Sequence, residues 1–213
     1  MNIELQMLDE TLSNKNIKDM SDAIDTLNIN KICVLPSQIS IFRKYLSNKI
    51  KLSTMLDFPF GILSTKTRND LVTQYIKAGV DSVEILAPSY MMINKQYVGL
   101  KNDIVSNYEL CLEAKVDISY VLEYRTYSYD LLYKICKILT TNNINSLYIS
   151  TGHKIDDIYD HLIAMAMIQK NVPEANIVPN GHIFSQKHAD LIQNTKIPTV
   201  RLHSMNCVEL FQG

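Results

Sequence analysis

The sequence predicts a single (β/α)8 barrel spanning residues 1–213. Three observations carry this. Short β-like runs alternate with longer helix-like stretches along the chain, which calls for parallel strands joined by helical crossovers. The alternation repeats eight times with almost no spare length, for a barrel more compact than the usual ~250 residues. The loop after the first run, Asp9-Glu10-Thr11-Leu12, lacks the glycines that a doubly wound open sheet would need there.

In chain order, the β-like runs are Leu5–Leu8, Lys31–Leu35, Leu52–Asp57, Ser82–Ala87, Ile118–Glu123, Ser146–Ser150, Asn176–Pro179 and Thr199–Leu202. Amphipathic stretches fall near 17–27, 38–48, 65–78, 99–115, 129–141, 155–170 and 185–194. The tail Asn206–Phe211 supplies the eighth helix in this reading. Ser37, Ser64, Ser128 and Ser185 each precede an apolar-periodic run and read as helix N-caps. Gly79 stands at a helix C-cap.

Composition narrows the function classes. Hydrophobic residues make up 46% and charged residues 20%, enough apolar material for a core, so intrinsic disorder is excluded. No apolar window approaches the ~18 residues of a membrane span, and the N-terminus carries acids where a signal peptide needs a basic region. With 21 Lys+Arg against 22 Asp+Glu, the even charge balance points to neither nucleic acid nor an acidic membrane. The widely spaced Cys33, Cys111, Cys136 and Cys207 fit reduced thiols in a cytoplasmic protein. Six glycines are few for a protein that would cradle phosphate on backbone N–H groups.

In a barrel the chemistry belongs at the C-terminal ends of the strands. Asp9 and Glu10 end the first strand, and Asp57-Phe58-Pro59-Phe60-Gly61 the third. Glu84 lies in the fourth, and Glu123-Tyr124-Arg125 ends the fifth. The sixth ends Tyr148-Ile149-Ser150-Thr151-Gly152-His153, the seventh Pro179-Asn180-Gly181-His182 and the eighth Arg201-Leu202-His203-Ser204.

These strand ends resemble, in order, those of the deoxyribose-phosphate aldolases, which are class I aldolase barrels. Leu8-Asp9-Glu10-Thr11-Leu12 is similar to the family's Asp-x-Thr-Leu, and Ile32-Cys33-Val34-Leu35-Pro36 to its Cys-Val-x-Pro. Asp57-Phe58-Pro59-Phe60-Gly61 is similar to its Phe-Pro-x-Gly turn. Gly79-Val80-Asp81-Ser82-Val83-Glu84-Ile85 is similar to its Gly-Ala-Asp-Glu-Ile-Asp strand, and Val121-Leu122-Glu123 to its Ile-Leu-Glu-Thr. Ser150-Thr151-Gly152 matches its Ser-Thr-Gly, and Pro179-x-Gly181 its Lys-Pro-x-Gly-Gly.

The resemblance implies cleavage of 2-deoxyribose 5-phosphate through a lysine Schiff base, and the departures fall on that chemistry. The Schiff-base lysine would stand at Tyr148, and the lysine that lowers its pKa at Val178; neither side chain is an amine. Glu84 keeps the charge of the catalytic carboxylate but is one methylene longer than Asp. In the family's phosphate pocket His153 replaces a lysine, Gly181-His182 a Gly-Gly, and His203-Ser204 a Gly-Ser.

Three readings follow. In the leading one the barrel lacks Schiff-base activity and keeps a polar pocket at the C-terminal rim for a small ligand, such as a phosphorylated sugar, or a partner. Its site residues are Glu84, Tyr148, Glu123 and Asp9, with Ser150, Thr151, Gly152, His153, Gly181, His182, His203 and Ser204 around the ligand. In the second, Lys154 replaces the missing amine in an active lyase, against the plainer reading of a solvated lysine. In the third, His153, His182 and His203, with Glu84 and Glu123 across the mouth, hold a metal or an anion, against the plainer reading of separate loop histidines. No local metal signature is present, so neither metal nor cofactor is assigned. Members of the family often pair, so a homo-oligomer is also an expectation.

Overall fold

The structure is a computed structural model, and it describes residues 1–154, 157–195 and 197–211. The chain runs β1 (Asn2–Met7), α1 (Asn14–Thr26), β2 (Lys31–Val34), α2 (Ile39–Tyr45), β3 (Lys51–Leu56) and α3 (Thr65–Ala78). It continues through β4 (Ser82–Leu86), α4 (Ser89–Ile93), α5 (Tyr97–Ala114), β5 (Asp117–Val121), α6 (Tyr129–Thr141) and β6 (Ser146–Tyr148). It ends with α7 (Ile158–Asn171), β7 (Asn176–Val178), α8 (Gln186–Asn194) and β8 (Thr199–Leu202).

All eight strands pair in parallel, in the order β7-β6-β5-β4-β3-β2-β1-β8. The circle is closed between β7 and β8 by a bond from the Arg201 amide to the Pro179 carbonyl, 2.8 Å. This is the expected (β/α)8 barrel. Successive residues of a strand face opposite sides. Ile3, Leu5, Ile32, Val34, Leu52, Val83 and Ile85 therefore join the large core between barrel and helices. Cys33, Met55, Leu86, Val121, Tyr148 and Val178 form a separate cluster inside the barrel. Between α3 and α5, buried Arg68 meets Asp57 at 3.1 Å and Asp103 at 3.3 Å.

Local sequence explains most helix starts. The side-chain oxygens of Ser64, Ser128 and Ser185 accept bonds from the Thr67, Leu131 and His188 amides, as expected of N-caps. Gly79 ends α3 in the left-handed conformation, φ 95°.

Five expectations need correction. Ser37 does not cap α2: Pro36 opens a 3-10 turn over Pro36–Gln38, and α2 follows without a side-chain cap. The first helix begins earlier than position 17, because Ser13 and Asn16 form a reciprocal capping box. Crossover β4–β5 contains the extra short helix α4. The tail 206–211 forms two 3-10 turns, not an eighth α-helix. The helix expected from 155 begins at Ile158, with Asp157 as N-cap; residues 155 and 156 lie outside the described residues. Among the described residues no helix is long and apolar enough to cross a membrane.

Candidate functional site

The lumen of the barrel carries a charged cluster. Glu4 of β1 and Lys31 of β2 are paired in register, as are Glu4 and Arg201 of β8. Arg201 grips Glu84 of β4 with both terminal guanidinium nitrogens, Nη1 to Oε2 at 2.5 Å and Nη2 to Oε1 at 2.6 Å. Its Nη2 also donates to Glu4 Oε2 at 2.8 Å. Ser53 Oγ donates to Glu84 Oε1 at 2.7 Å.

Tyr148 stands in the middle of this cluster. Its hydroxyl donates to Glu4 Oε2 at 2.7 Å and accepts a short bond from Lys31 Nζ. Its ring lies under the Arg201 guanidinium, 3.8 Å from the centroid. Lys31 Nζ also lies 3.3 Å from Glu4 Oε1 and 3.5 Å from Glu84 Oε1. Two carboxylates face two cations, so the buried charges balance.

Burial alone would raise the Glu84 carboxyl, but Arg201 and Lys31 outweigh it and hold it at about 2. Burial pushes the Tyr148 phenol well above its usual value; Arg201 opposes this, and the Glu84 and Glu4 carboxylates add to it. At neutral pH Glu84 is a fixed anion and Tyr148 a fixed phenol. The resemblance places the catalytic carboxylate at Glu84 and the Schiff-base amine at Tyr148; here both side chains are fully buried and engaged with each other's partners.

Two residues further along their strands, Cys33, Met55, Leu86 and Val121 pack with Val178, Leu8 and Phe58. This apolar layer lies between the charged cluster and the C-terminal mouth. Val178, where the resemblance places the second lysine, belongs to it.

The mouth forms a polar tier above that layer. Thr151 donates to Glu123 Oε2 from its hydroxyl at 2.7 Å and from its amide at 3.3 Å. The Gly152 amide donates to Ser150 Oγ at 3.2 Å, and the His153 amide to Thr151 Oγ1 at 3.1 Å. Gln6 Nε2 bonds the Thr151 carbonyl at 2.9 Å. Asn180 Nδ2 makes a short bond to the Ser150 carbonyl, and the Asn180 carbonyl meets His203 Nε2 at 2.6 Å.

Gly152 is required here. It has φ +71°, and a Cβ at this position would lie 2.2 Å from His203 Cε1. The imidazole has closed over the glycine. His203 stacks on His182 with centroids 4.8 Å apart, and His182 stacks in turn on Phe184 at 5.5 Å. A Cβ on Gly181 would lie 3.1 Å from His161 Nδ1.

The exposed edge is looser. His153 meets Phe58 edge-on at 5.8 Å and Phe60 at 6.1 Å. Asp9 accepts from the Thr11 hydroxyl at 2.6 Å and amide at 2.8 Å, contacts that lower its pKa. Ser204 Oγ accepts from the Asn206 amide at 3.3 Å. A cavity of about 710 Å³ opens at this end, walled by Gln6, Asp9, Glu10, Phe58, Gly152, His153, His203 and Ser204. Lys154 is not on its wall; its ammonium donates to Thr126 Oγ1 at 3.3 Å on the exposed surface.

The candidate residues thus fall into two groups. Glu84 and Tyr148 are sealed in the lumen. Asp9, Gly152, His153, His203 and Ser204 line the open cavity, with Glu123, Ser150, Thr151, Gly181 and His182 in the tier that supports it. Among the described residues no three His, Cys, Asp or Glu side chains gather as a metal site.

Sequence reasoning missed Glu4, Lys31, Asn180 and His161. Charged residues at alternating positions inside apolar runs were the available signal for Glu4 and Lys31. His161, on α7, had none. It is fully buried, accepts from the Asn180 amide through Nε2 at 3.3 Å, and has no partner for Nδ1 among the described residues. Burial first, and then His203, Arg125 and His182, lower its pKa to about 3.

No family model matches the chain. The deoxyribose-phosphate aldolase of Clostridioides difficile is 25% identical over 150 residues, 70% of this chain and 68% of that protein. The same enzyme of Treponema denticola is 22% identical over 152 residues, 71% of this chain and 70% of that one. Among solved structures, a putative deoxyribose-phosphate aldolase from Coccidioides immitis aligns with a TM-score of 0.85 at 14% identity, covering 99% of this chain and 83% of that one. An aldolase named QR15 aligns with a TM-score of 0.82 at 14% identity, covering 93% and 88%. With the ordered strand-end motifs and the closed barrel, these matches make the chain similar to the deoxyribose-phosphate aldolases, in sequence over about 70% of its length and in fold over nearly all of it.

Proposed function

We propose that this barrel performs no Schiff-base aldol cleavage and uses its C-terminal mouth to hold a small polar ligand, of which a phosphorylated sugar is the first candidate. One observation carries the reading. The side chain at the resemblance's Schiff-base position is a phenol, and its hydroxyl is already engaged by Glu4 and Lys31. A Schiff base needs a neutral primary amine facing the substrate. Lys31 is an amine in the lumen, but two carboxylates neutralise it and the apolar layer separates it from the mouth. For the ligand, the mouth offers the turn around Gly152 together with His153 and His203 on the wall of an open cavity.

The runner-up is an active lyase with Lys154 as its amine. The exposed ammonium of Lys154 beside Thr126 gives that reading little support. A homo-oligomer belongs to the same proposal, since a solved neighbour, the aldolase from Aeropyrum pernix, is described as tetrameric (TM-score 0.79, 12% identity, covering 99% of this chain and 88% of that one); a cytoplasmic location is proposed from the widely spaced cysteines.

The test is incubation with 2-deoxyribose 5-phosphate and borohydride, with intact mass and aldehyde release read on one sample. The expected result is unchanged mass and no aldehyde. A reduced adduct, mapped to Lys154 or any other lysine, overturns the proposal.

A further inference from the structure

The charged cluster in the lumen has an open side, and it faces away from the mouth described above. Glu84 and Arg201 side chains have no exposure, whereas those of Glu4 and Lys31 each keep 11%. Both line a cavity of about 660 Å³ at the N-terminal ends of the strands. Two more observations at that cavity point to a ligand. Ser119 is 2% exposed, lines the cavity, and its hydroxyl has no hydrogen-bond partner among the described residues. Lys49, on the exposed rim, makes no ion pair among the described residues, although neighbouring Lys51 pairs with Asp117 at 2.5 Å.

The N-terminal face of such a barrel ordinarily serves stability. A stabilising face would be packed with apolar side chains, because a buried ion pair is often no better than a hydrophobic replacement of the same volume. This one is instead open, with a carboxylate and an ammonium at its floor, a buried unsatisfied hydroxyl in its wall, and carboxamides such as Asn143 and Asn145 at its rim. Those groups donate and accept hydrogen bonds in close alternation, the pattern that hydroxyl-rich molecules satisfy. Tyr108 gives an aromatic wall for a C–H face. A free ammonium at the entrance suits one anionic group.

We propose that the N-terminal mouth is a second ligand site, for a small polyhydroxylated compound carrying one anionic group: its hydroxyls meet Glu4, Lys31 and Ser119, and its anion meets Lys49. Sugar acids and sugar phosphates share that chemistry. The site is independent of whatever the C-terminal mouth does.

The test is a titration of the full-length chain, followed by amide chemical shifts, with gluconate, sorbitol 6-phosphate, uncharged sorbitol and inorganic phosphate. The anionic polyols are expected to move the resonances of Lys31, Lys49 and Ser119, and the tighter of the two identifies the source of the anion. Lys49→Glu, an exposed change that leaves folding intact, is expected to weaken binding at least about tenfold, as loss of a charge-assisted bond does. Ser119→Leu, which fills the wall, is expected to abolish it, while His203→Ala at the opposite mouth leaves it unchanged. The proposal is overturned if neither anionic polyol moves these resonances, or if Lys49→Glu binds as the parent does. It is equally overturned if His203→Ala alone removes binding, or if sorbitol or inorganic phosphate binds as tightly as the anionic polyols.

Discussion

At the scale of single residues, Glu84 and Tyr148 show how a familiar position changes meaning when its neighbours change. Glu84 keeps a carboxylate at the place the resemblance assigns to the catalytic one. It is held there by two bonds from Arg201 and one from Ser53, and it is fully buried. Glu84→Gln would remove one anion from a balanced buried set and leave a cation uncompensated. We expect it to cost about 3–5 kcal/mol, measured as a fall in urea midpoint at constant slope.

His161 sets the acid limb of stability. The unfolded imidazole titrates near 6.5 and the folded one near about 3. Between those values the unfolded chain binds a proton that the folded chain does not, so stability falls as pH drops below 6.5 toward 3. The Glu84 contribution has the same direction but lies lower: it is complete above 4.5 and is lost as pH falls toward 2. Urea midpoints at neutral pH and at about pH 5 separate the two, because the Glu84 difference develops below 4.5 and the His161 difference below 6.5. The expected result is a lower midpoint at the acid value, with the difference reduced in His161→Leu.

The places of Glu84, Tyr148 and Val178 in the barrel were legible because the strand-end motifs fix them. Their present surroundings were not. Glu4 and Arg201 are 197 residues apart, and only the register of β1 on β8 brings them together. His161 gave no signal, because a histidine on an amphipathic helix reads the same whether or not its far side meets Asn180.

At the scale of elements, a serine before a periodic run caps its helix wherever the backbone at that serine is extended. Ser64 and Ser128 have φ of -69° and -65° with ψ near 150°, and each side chain reaches an amide three residues on. Ser37 failed because Pro36 had already begun a 3-10 turn, so Ser37 sits inside a turn and not before a helix. The tail 206–211 failed for length: a few residues close too few hydrogen bonds to offset helix nucleation, and tighter turns form instead. Ser128→Ala is expected to cost about 0.5–2 kcal/mol, and combined with Ser64→Ala the losses should add, since the two caps share no partners. Thermal denaturation of the two single variants and the double variant checks this.

At the scale of the whole molecule, strand–helix alternation was enough to give the barrel, because parallel strands allow few other closures. It was not enough to show that the two mouths differ. One is a tier of backbone-bonded loops above an apolar layer, and the other opens onto ions. That asymmetry depends on which of two alternating positions carries a charge in each strand, and hence on pairing register, which periodicity alone does not fix.

The placement of the four charges also bears on whether the barrel can be divided. Glu4, Lys31 and Glu84 all belong to the first four strands, and Arg201 belongs to the last four. A chain cut between β4 and β5 would give one half-barrel with an excess buried anion and another with an excess buried cation. Neither fragment could form its interior alone without exposing or neutralising that charge. The two fragments are expected to be largely unstructured when separate and to regain helix and strand signal only on mixing, with circular dichroism of each fragment and of the equimolar mixture as the check. Independent folding of either fragment would show that the interior charges do not bind the halves together. The eighth strand thus carries the charge that completes the interior, and the barrel is expected to unfold as one cooperative unit.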